Sequence, residues 1–316
     1  MIKYSIKRIF MIIPIILGVT LVLFILLYSL STSTIKGMPS YGGGDALDSI
    51  FGFFSAGDNF FTKYIRYCYN IFFHFNFGKN SATMRRLTEE LSYRARNTLF
   101  ILFSGAAVTM AVGIPAGVYS AARKDRAADR VLNTASLILS AIPNYAVATL
   151  LTLGLVVYIR LIPLFTTDYR SPVAYILPSL TIMLGGVASV LRMTRASMIE
   201  VLDRPYITAL RSKGLKERDV IWKHALKNAA IPTVAVLGGL ISSLLCGTLV
   251  VEYFFGVPGL GSFMLRGVAL RDHIAILGCT VLMTVILSVI NTIADIIYAF
   301  INPQIRLRYT ARRGRD

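Results

Sequence analysis

The sequence predicts an all-α integral membrane protein with six transmembrane helices and an outside segment between the first and the second. Three observations predict it. The 316 residues are 55% hydrophobic and 16% charged, whereas soluble domains carry about a quarter charged residues. Asp, Glu, Lys and Arg leave six uninterrupted stretches long enough to cross a bilayer, at 9–35, 97–122, 131–159, 171–191, 228–251 and 273–294. A crossing helix needs about 20 apolar residues, and a central charge is costly. Finally, 21 of the 33 Lys and Arg fall in 1–8, 123–130, 192–227 and 306–316, which alternate with the remaining connections. By the positive-inside rule these are cytoplasmic, and both termini with them.

The first span follows Lys3, Lys7 and Arg8. Its apolar run, Ile9 to Leu30, exceeds the roughly 7–15 residues of a signal-peptide core, and no A-x-A site follows. A retained helix is expected.

The outside segment 36–96 opens with Gly37 and Gly42 to Gly44, beside Asp45 and Asp48. From Phe51 to Phe77, 12 of 27 residues are Phe or Tyr. Asp58, Lys63 and Arg66 interrupt this block, so it reads as a cap on the outer surface, where aromatics concentrate. Residues 84–96 mix Arg85, Arg86, Glu89, Glu90, Arg94 and Arg96 with Leu87 and Leu91, an amphipathic helix leading into the second span.

Within the spans, Gly113 with Gly117, and Gly239 with Ser243 and Gly247, give the small-xxx-small spacing that lets helices approach closely in lipid. Pro115, Pro143 and Pro178 are expected to kink or break their helices.

The segment 192–227 carries 9 Lys or Arg and 4 Asp or Glu, so it is solvated. Pro205 suits a first helical turn. Ile207 and Leu210 share a face, and Gly214 offers a stop. Lys216 to Lys227 restarts a helix, with Val220, Ile221, His224 and Ala225 at helical spacing. Two short helices joined at Gly214 are expected, and they ask for a partner to pack against.

A net charge of +17 invites nucleic acid, but the topology accounts for the basic residues, so no nucleic-acid partner is expected. Cys68, Cys246 and Cys279 match no metal or redox spacing. His74, His224 and His273 lie in different regions. No G-x-x-x-x-G-K-[ST] loop occurs, so the chain does not hold ATP in the P-loop manner. No catalytic residue, metal or cofactor is expected, and the chain is not read as an enzyme.

The run Tyr206-Ile-Thr-Ala-Leu-Arg-Ser-Lys-Gly214-Leu, followed by His224-Ala-Leu-Lys-Asn228 and Ile231-Pro232, resembles the cytoplasmic "EAA" loop of ABC importer permeases of the dipeptide/oligopeptide family. Val251-Glu252-Tyr-Phe-Phe-Gly-Val-Pro258-Gly259-Leu-Gly261 is similar to that family's motif after the fifth span. Asn76-Phe-Gly78-Lys-Asn resembles its glycine motif before the second. Asn302-Pro303-Gln-Ile305-Arg306 resembles its C-terminal ending. Thr208 and Leu210 stand where the generic loop has glutamate and a second alanine.

The resemblance implies the type I ABC importer permease fold in the inner membrane. Its partners would be a second, homologous permease subunit, two ATP-binding subunits, an extracytoplasmic substrate-binding protein and lipid. It implies di- or oligopeptide cargo, with nickel, glutathione or another small solute as alternatives. Arg204, Tyr206, Ile207, Ala209, Leu210, Arg211, Lys213, Gly214 and Leu215 would couple the chain to an ATP-binding subunit. Ala209 would pack in that subunit's groove and Gly214 would allow the turn. The chain divides into 1–96 (first span and outside segment), 97–305 (five-helix core) and 306–316 (basic tail). A rival reading is a secondary transporter driven by an ion gradient, which places ionisable groups in the membrane. Asp295, with Asn291 one turn earlier, either lines such a pathway or meets the basic tail.

Overall fold

The computed structural model describes residues 2–34, 59–79, 86–161, 169, 171–270 and 272–301, of which the side chains of 2–5, 7, 27–34, 235–237 and 273 are not described. Among the described residues the chain is helical and forms no strand. The helices are α1 (Ile2–Thr34), α2 (Phe60–His74), α3 (Leu87–Ala122), α4 (Ala127–Ala141), α5 (Asn144–Leu151), α6 (Ile176–Leu202), α7 (Pro205–Ser212), α8 (Leu226–Phe254), α9 (Leu260–Leu270) and α10 (His273–Ile301). The C-terminal motif from Asn302 to Arg306, the tail 306–316 and residues 36–58 of the outside segment lie outside the described residues.

Four helical stretches are long and apolar enough to cross a membrane without interruption: Arg8–Leu26, Leu87–Ala122, Pro172–Leu202 and Ile274–Ile301. The other two spans are bent pairs, so the count of six holds only if each pair is one span. The third breaks between Ala141 and Asn144 with a bend of 106°. Pro143 lacks an N–H and forces Ile142 out of the helical region, to φ −82°, ψ 124°. Pro115 instead stays inside the continuous α3. Pro178 falls in the first turn of α6, where a proline removes no helical hydrogen bond. The fifth span bends by 57° between Glu217–Val234 and Gly238–Phe254.

The chain forms two compact units. The first comprises Met1–Ser5, Leu99–Val257 and Ile290–Asp316; the second comprises Ile6–Thr98 and Pro258–Val289.

In the first unit α6 is the centre. It packs against α4, α5 and α8, and over half of its apolar window is buried (56%, against 17% for the window in α1). The expected glycine pair does its work here. A Cβ at Gly113 would meet Val190 Cβ at 2.8 Å, and one at Gly117 would meet the Leu191 carbonyl oxygen and Thr194 Cβ at 2.7 Å. With no hydrophobic effect to separate protein from lipid, such close backbone approach supplies the van der Waals contact that associates α3 with α6. The second glycine set divides. Gly247 meets the Asn144 side chain, whereas Gly239 faces open space.

Gly117→Leu is therefore expected to cost about 3 kcal/mol through overpacking, read as faster loss of monodisperse protein on heating. Gly105→Ala is its control, because the new Cβ would sit 3.4 Å or more from Ile182. Equal heat resistance in both variants would contradict the packing role.

In the second unit Phe24 of α1 is buried among the rings of Phe60, Tyr64 and Tyr67 of α2, with centroids 5.4–5.6 Å apart. Tyr67, Ile71, Phe77, Leu87, Leu91, Leu260, Phe263 and Ile274 complete this core. The aromatic block thus turns one face of α2 inward, while Phe61, Ile65, Tyr69 and Phe73 stay exposed on the other. From Leu87 on, the amphipathic stretch before the second span is the first part of α3 itself, while Met84 and Arg85 lie outside the described residues. The glycine motif is the turn between them. Gly78 (φ 88°) donates its N–H to Asn76 Oδ1 at 3.0 Å and accepts from the Leu87 N–H at 3.0 Å. Asn80 of that motif lies outside the described residues.

Candidate functional site

The segment from Arg192 divides differently from its sequence reading. Arg192 to Leu202 continue α6 for about three turns, so the connection proper begins at Asp203. Of the two short helices expected, only α7 is separate. The stretch after Gly214 runs through Glu217–Asp219 and a π-helical turn, Val220–Ala225, into α8.

Both ends of α7 are set by local chemistry. Arg204 holds extended N-cap geometry and Pro205 occupies the first turn, where its missing N–H costs nothing. At the other end Gly214 has φ +79°. Its N–H donates to the Arg211 carbonyl at 2.9 Å, and the Leu215 N–H reaches the Leu210 carbonyl at 3.5 Å. This is a Schellman ending, and Leu210 and Leu215 supply its apolar closure. The same device ends α8. Gly256 has φ +68°, its N–H donates to the Tyr253 carbonyl, and the Val257 N–H donates to the Glu252 carbonyl.

The nine residues expected to couple the chain to a partner separate into two groups. Ile207 is fully buried with Val118, Ala121, Met198, Val220, Ala225 and Ala229, and Leu210 and Leu215 pack on the same cluster. These three anchor α7 to its own chain. Arg204, Tyr206, Ala209, Arg211, Lys213 and Gly214 are exposed. The loop thus presents a mostly polar outer face on an apolar seat.

Polar contacts brace that seat. The Arg211 guanidinium grips Glu217 with Nη2–Oε1 at 2.7 Å and Nε–Oε2 at 3.1 Å, bridging the two arms across Gly214. The neighbouring carboxylate raises the Arg211 pKa above its ordinary value. Both side chains are well exposed, 43% and 55%, so the pair contributes under about 1 kcal/mol and mainly sets geometry. Asn228 Nδ2 donates to Tyr206 Oη at 2.9 Å. Arg204 pairs with Glu200 at 2.6 Å.

Deeper in, Asp129 at the start of α4 is 2% exposed. It accepts from Arg195 Nε at 2.6 Å and Nη2 at 2.7 Å, from the Ser120 hydroxyl and from the Asp125 N–H. This network ties the ends of α3 and α4 to the last turns of α6, which lead into α7. Sequence reading missed it, because 66 residues separate the two charges and no local spacing rule pairs them. It missed Glu217 for a related reason: a partner six residues away across a glycine turn follows no helical rule.

Asn291 and Asp295 lie on α10, both half-buried. Asn291 exchanges hydrogen bonds with Ser242 of α8, Nδ2 to Oγ at 3.0 Å and Oγ to Oδ1 at 3.2 Å. A Cβ at Gly238 would meet Asn291 Oδ1 at 3.0 Å. The amide thus fills the α8–α10 junction. Among the described residues, no group of three or more His, Cys, Asp and Glu is placed to hold a metal ion.

Residues 113–307 match the family described as "Binding-protein-dependent transport system inner membrane component". The chain is 32% identical to the dipeptide transport system permease protein DppB of Bacillus subtilis (strain 168), over 97% of this chain and 99% of that protein. It is 30% identical to the oligopeptide transport system permease protein AppB of the same strain, over 96% and 99%. In fold it resembles a chain of the inward-facing MetNI methionine ABC transporter, with TM-score 0.57 and 16% identity, over 68% of this chain and 98% of that one.

Proposed function

Since the chain belongs to the family of binding-protein-dependent transport system inner membrane components, the permease subunits of ABC importers, we propose that it forms, with a second homologous permease, the path for di- or oligopeptides. It is a multi-pass inner-membrane protein that works with ATP-binding and substrate-binding subunits. We further propose two ATP-binding subunits per assembly, an extracytoplasmic binding protein, and cytoplasmic N- and C-termini.

The observation that carries the coupling role is the build of α7. A short helix with a buried apolar anchor, fixed ends and an exposed outer face transmits a push rather than absorbing it. On this reading Tyr206, Ala209 and Lys213 meet the ATP-binding subunit, with Arg204 and Arg211 at the edges and Gly214 as the turn. Ile207, Leu210 and Leu215 carry the motion to α3, α6 and α8. Asn291 holds α8 against α10, and Asp295 faces the pathway or the tail.

Ala209→Arg tests the docking face, because it adds bulk at an exposed position and leaves the seat intact. The chain should still extract as a monodisperse membrane protein but should lose most of the co-purifying ATP-binding subunit. Full retention of that subunit would remove Ala209 from the interface. Cargo is tested by competition: unlabelled di- and oligopeptides should suppress uptake of a labelled dipeptide in vesicles, and glutathione or nickel should not. An ion-gradient transporter would instead keep its uptake without ATP.

A further inference from the structure

A groove of about 630 Å³ opens in the first unit. Its walls are Pro115, Ala116 and Tyr119 of α3 and Ala127, Ala128, Val131 and Leu132 of α4, and Trp222 of the π-helical turn closes it. Apart from the tips of Tyr119 and Trp222 its lining is hydrocarbon. The family reading of α7 does not use it, since Trp222 precedes α8 on another stretch.

Three features identify the occupant. The first is depth. Pro115 lies seven residues before the end of α3, or roughly 10 Å along the axis, within a stretch long and apolar enough to cross the membrane. The groove therefore starts within that apolar stretch at Pro115 and runs to the basic connection, where Ala127, Ala128 and Trp222 line it. The second is charge at the mouth. The turn joining α3 to α4 carries Arg123, Lys124 and Arg126, and Arg130 follows in α4. The Arg123 guanidinium lies 4.1 Å from the centroid of the Tyr119 ring, so a cation sits directly on one wall. The acidic groups nearby are largely committed: Asp129 is buried against Arg195, Asp219 pairs with Lys223 at 2.8 Å and Asp203 with Lys124 at 4.0 Å. Asp125 alone offsets Arg123, Arg126 and Arg130, which leaves the rim positive. The third is Trp222 itself, 44% exposed, an amphipathic ring of the kind that seats at headgroup depth.

We infer that this groove binds an anionic phospholipid, acyl chain between α3 and α4 and headgroup on the arginines of the intervening turn. A zwitterionic lipid satisfies the apolar walls but not the rim. A second membrane-spanning subunit seated in the groove would exclude both lipids, an outcome read separately as quenching by neither. In the topology proposed above, the headgroup belongs to the cytoplasmic leaflet, whose anionic lipids attract basic segments. The inference itself needs only the groove and its rim, whichever way the chain faces and whatever its cargo.

Trp222 is the only tryptophan of the chain, so its fluorescence reports on the groove alone. The full-length chain is reconstituted in mixed phosphatidylglycerol and phosphatidylcholine vesicles, which add no other tryptophan, with bromine near the glycerol end of the acyl chains of one lipid at a time. Brominated phosphatidylglycerol should quench Trp222 far more than brominated phosphatidylcholine, with an enrichment of about five-fold for each arginine that reaches the headgroup. Molar salt should shrink the difference. An R123Q/R126Q double variant, which leaves the lining untouched, should lose it while keeping its emission maximum in phosphatidylcholine alone. Equal quenching by the two lipids overturns the inference, because it shows unselective bilayer contact. Quenching by neither also overturns it, because protein then fills the groove. A transport defect in the Ala209 variant with lipid selectivity intact separates this inference from the coupling role.

Discussion

Gly214→Val is expected to cut ATP-dependent uptake about ten-fold in vesicles that hold the complete importer. The residue sits at φ +79°, a region that costs an ordinary L-residue roughly 1–2 kcal/mol and a β-branched one more. That cost falls on a turn that closes α7 through the Gly214–Arg211 and Leu215–Leu210 backbone bonds. It also sets the register of the Arg211–Glu217 bridge. A penalty of this size moves a local equilibrium by roughly 5- to 30-fold, enough to depopulate the fixed loop without unfolding the membrane helices. No atom lies within 4 Å of where a Cβ would stand, so the effect is one of backbone conformation and not of crowding. Gly214→Asn is the discriminating partner, since Asn tolerates the left-handed region and should keep most of the uptake. Undiminished uptake in the valine variant would sink the coupling role; equal loss in both would assign it to something other than the turn.

Asp129→Ala should destabilise the membrane unit by about 3 kcal/mol. Removing one partner of a buried ion pair leaves the other charge uncompensated, at roughly 3–5 kcal/mol. The lower end applies because Arg195 keeps 23% of its side chain in contact with solvent. The Ser120 hydroxyl and the Asp125 N–H lose their acceptor in the same step. Adding Arg195→Met should recover most of the loss, because a pair replaced on both sides by apolar groups is close to neutral. A double-mutant cycle on heat-induced loss of monodisperse protein reads this directly. If the two single losses simply add, the pair is not coupled as its 2.6–2.7 Å bonds require. Because this pair fixes the end of α6, the single variant should also loosen α7, seen as faster proteolysis near Lys213.

Much of the site was legible from local chemistry. Pro205, Gly214 and the Ile207/Leu210 pair specify a short helix with a start, one apolar face and a stop. Each of those signals acts within one or two turns. The Arg211–Glu217 bridge, the Tyr206–Asn228 bond and the burial of Ile207 were not legible. They depend on where the chain returns after Gly214, which no local rule states. The extension of α6 through Arg192 and Arg195 was hidden for another reason. Charges mark where a span should leave the membrane, but they do not end a helix whose basic side chains find carbonyl and carboxylate partners, as these two do at Ser136 and Asp129.

The sequence by itself determined that this protein is helical, that it lives in a membrane, where its long apolar stretches lie and where its charged connections fall. Those properties follow from hydrocarbon thickness and the cost of burying charge, both of which act on each segment separately. Tertiary structure alone decided that the third span breaks at Pro143 while Pro115 leaves α3 intact. It decided which glycines matter, because a Cβ at Gly117 would strike α6 and one at Gly239 would meet nothing within 4 Å among the described residues. And it divided the residues around Gly214 into those that hold the loop and those left free to meet a partner, a division set by what α3, α6 and α8 bring beneath it.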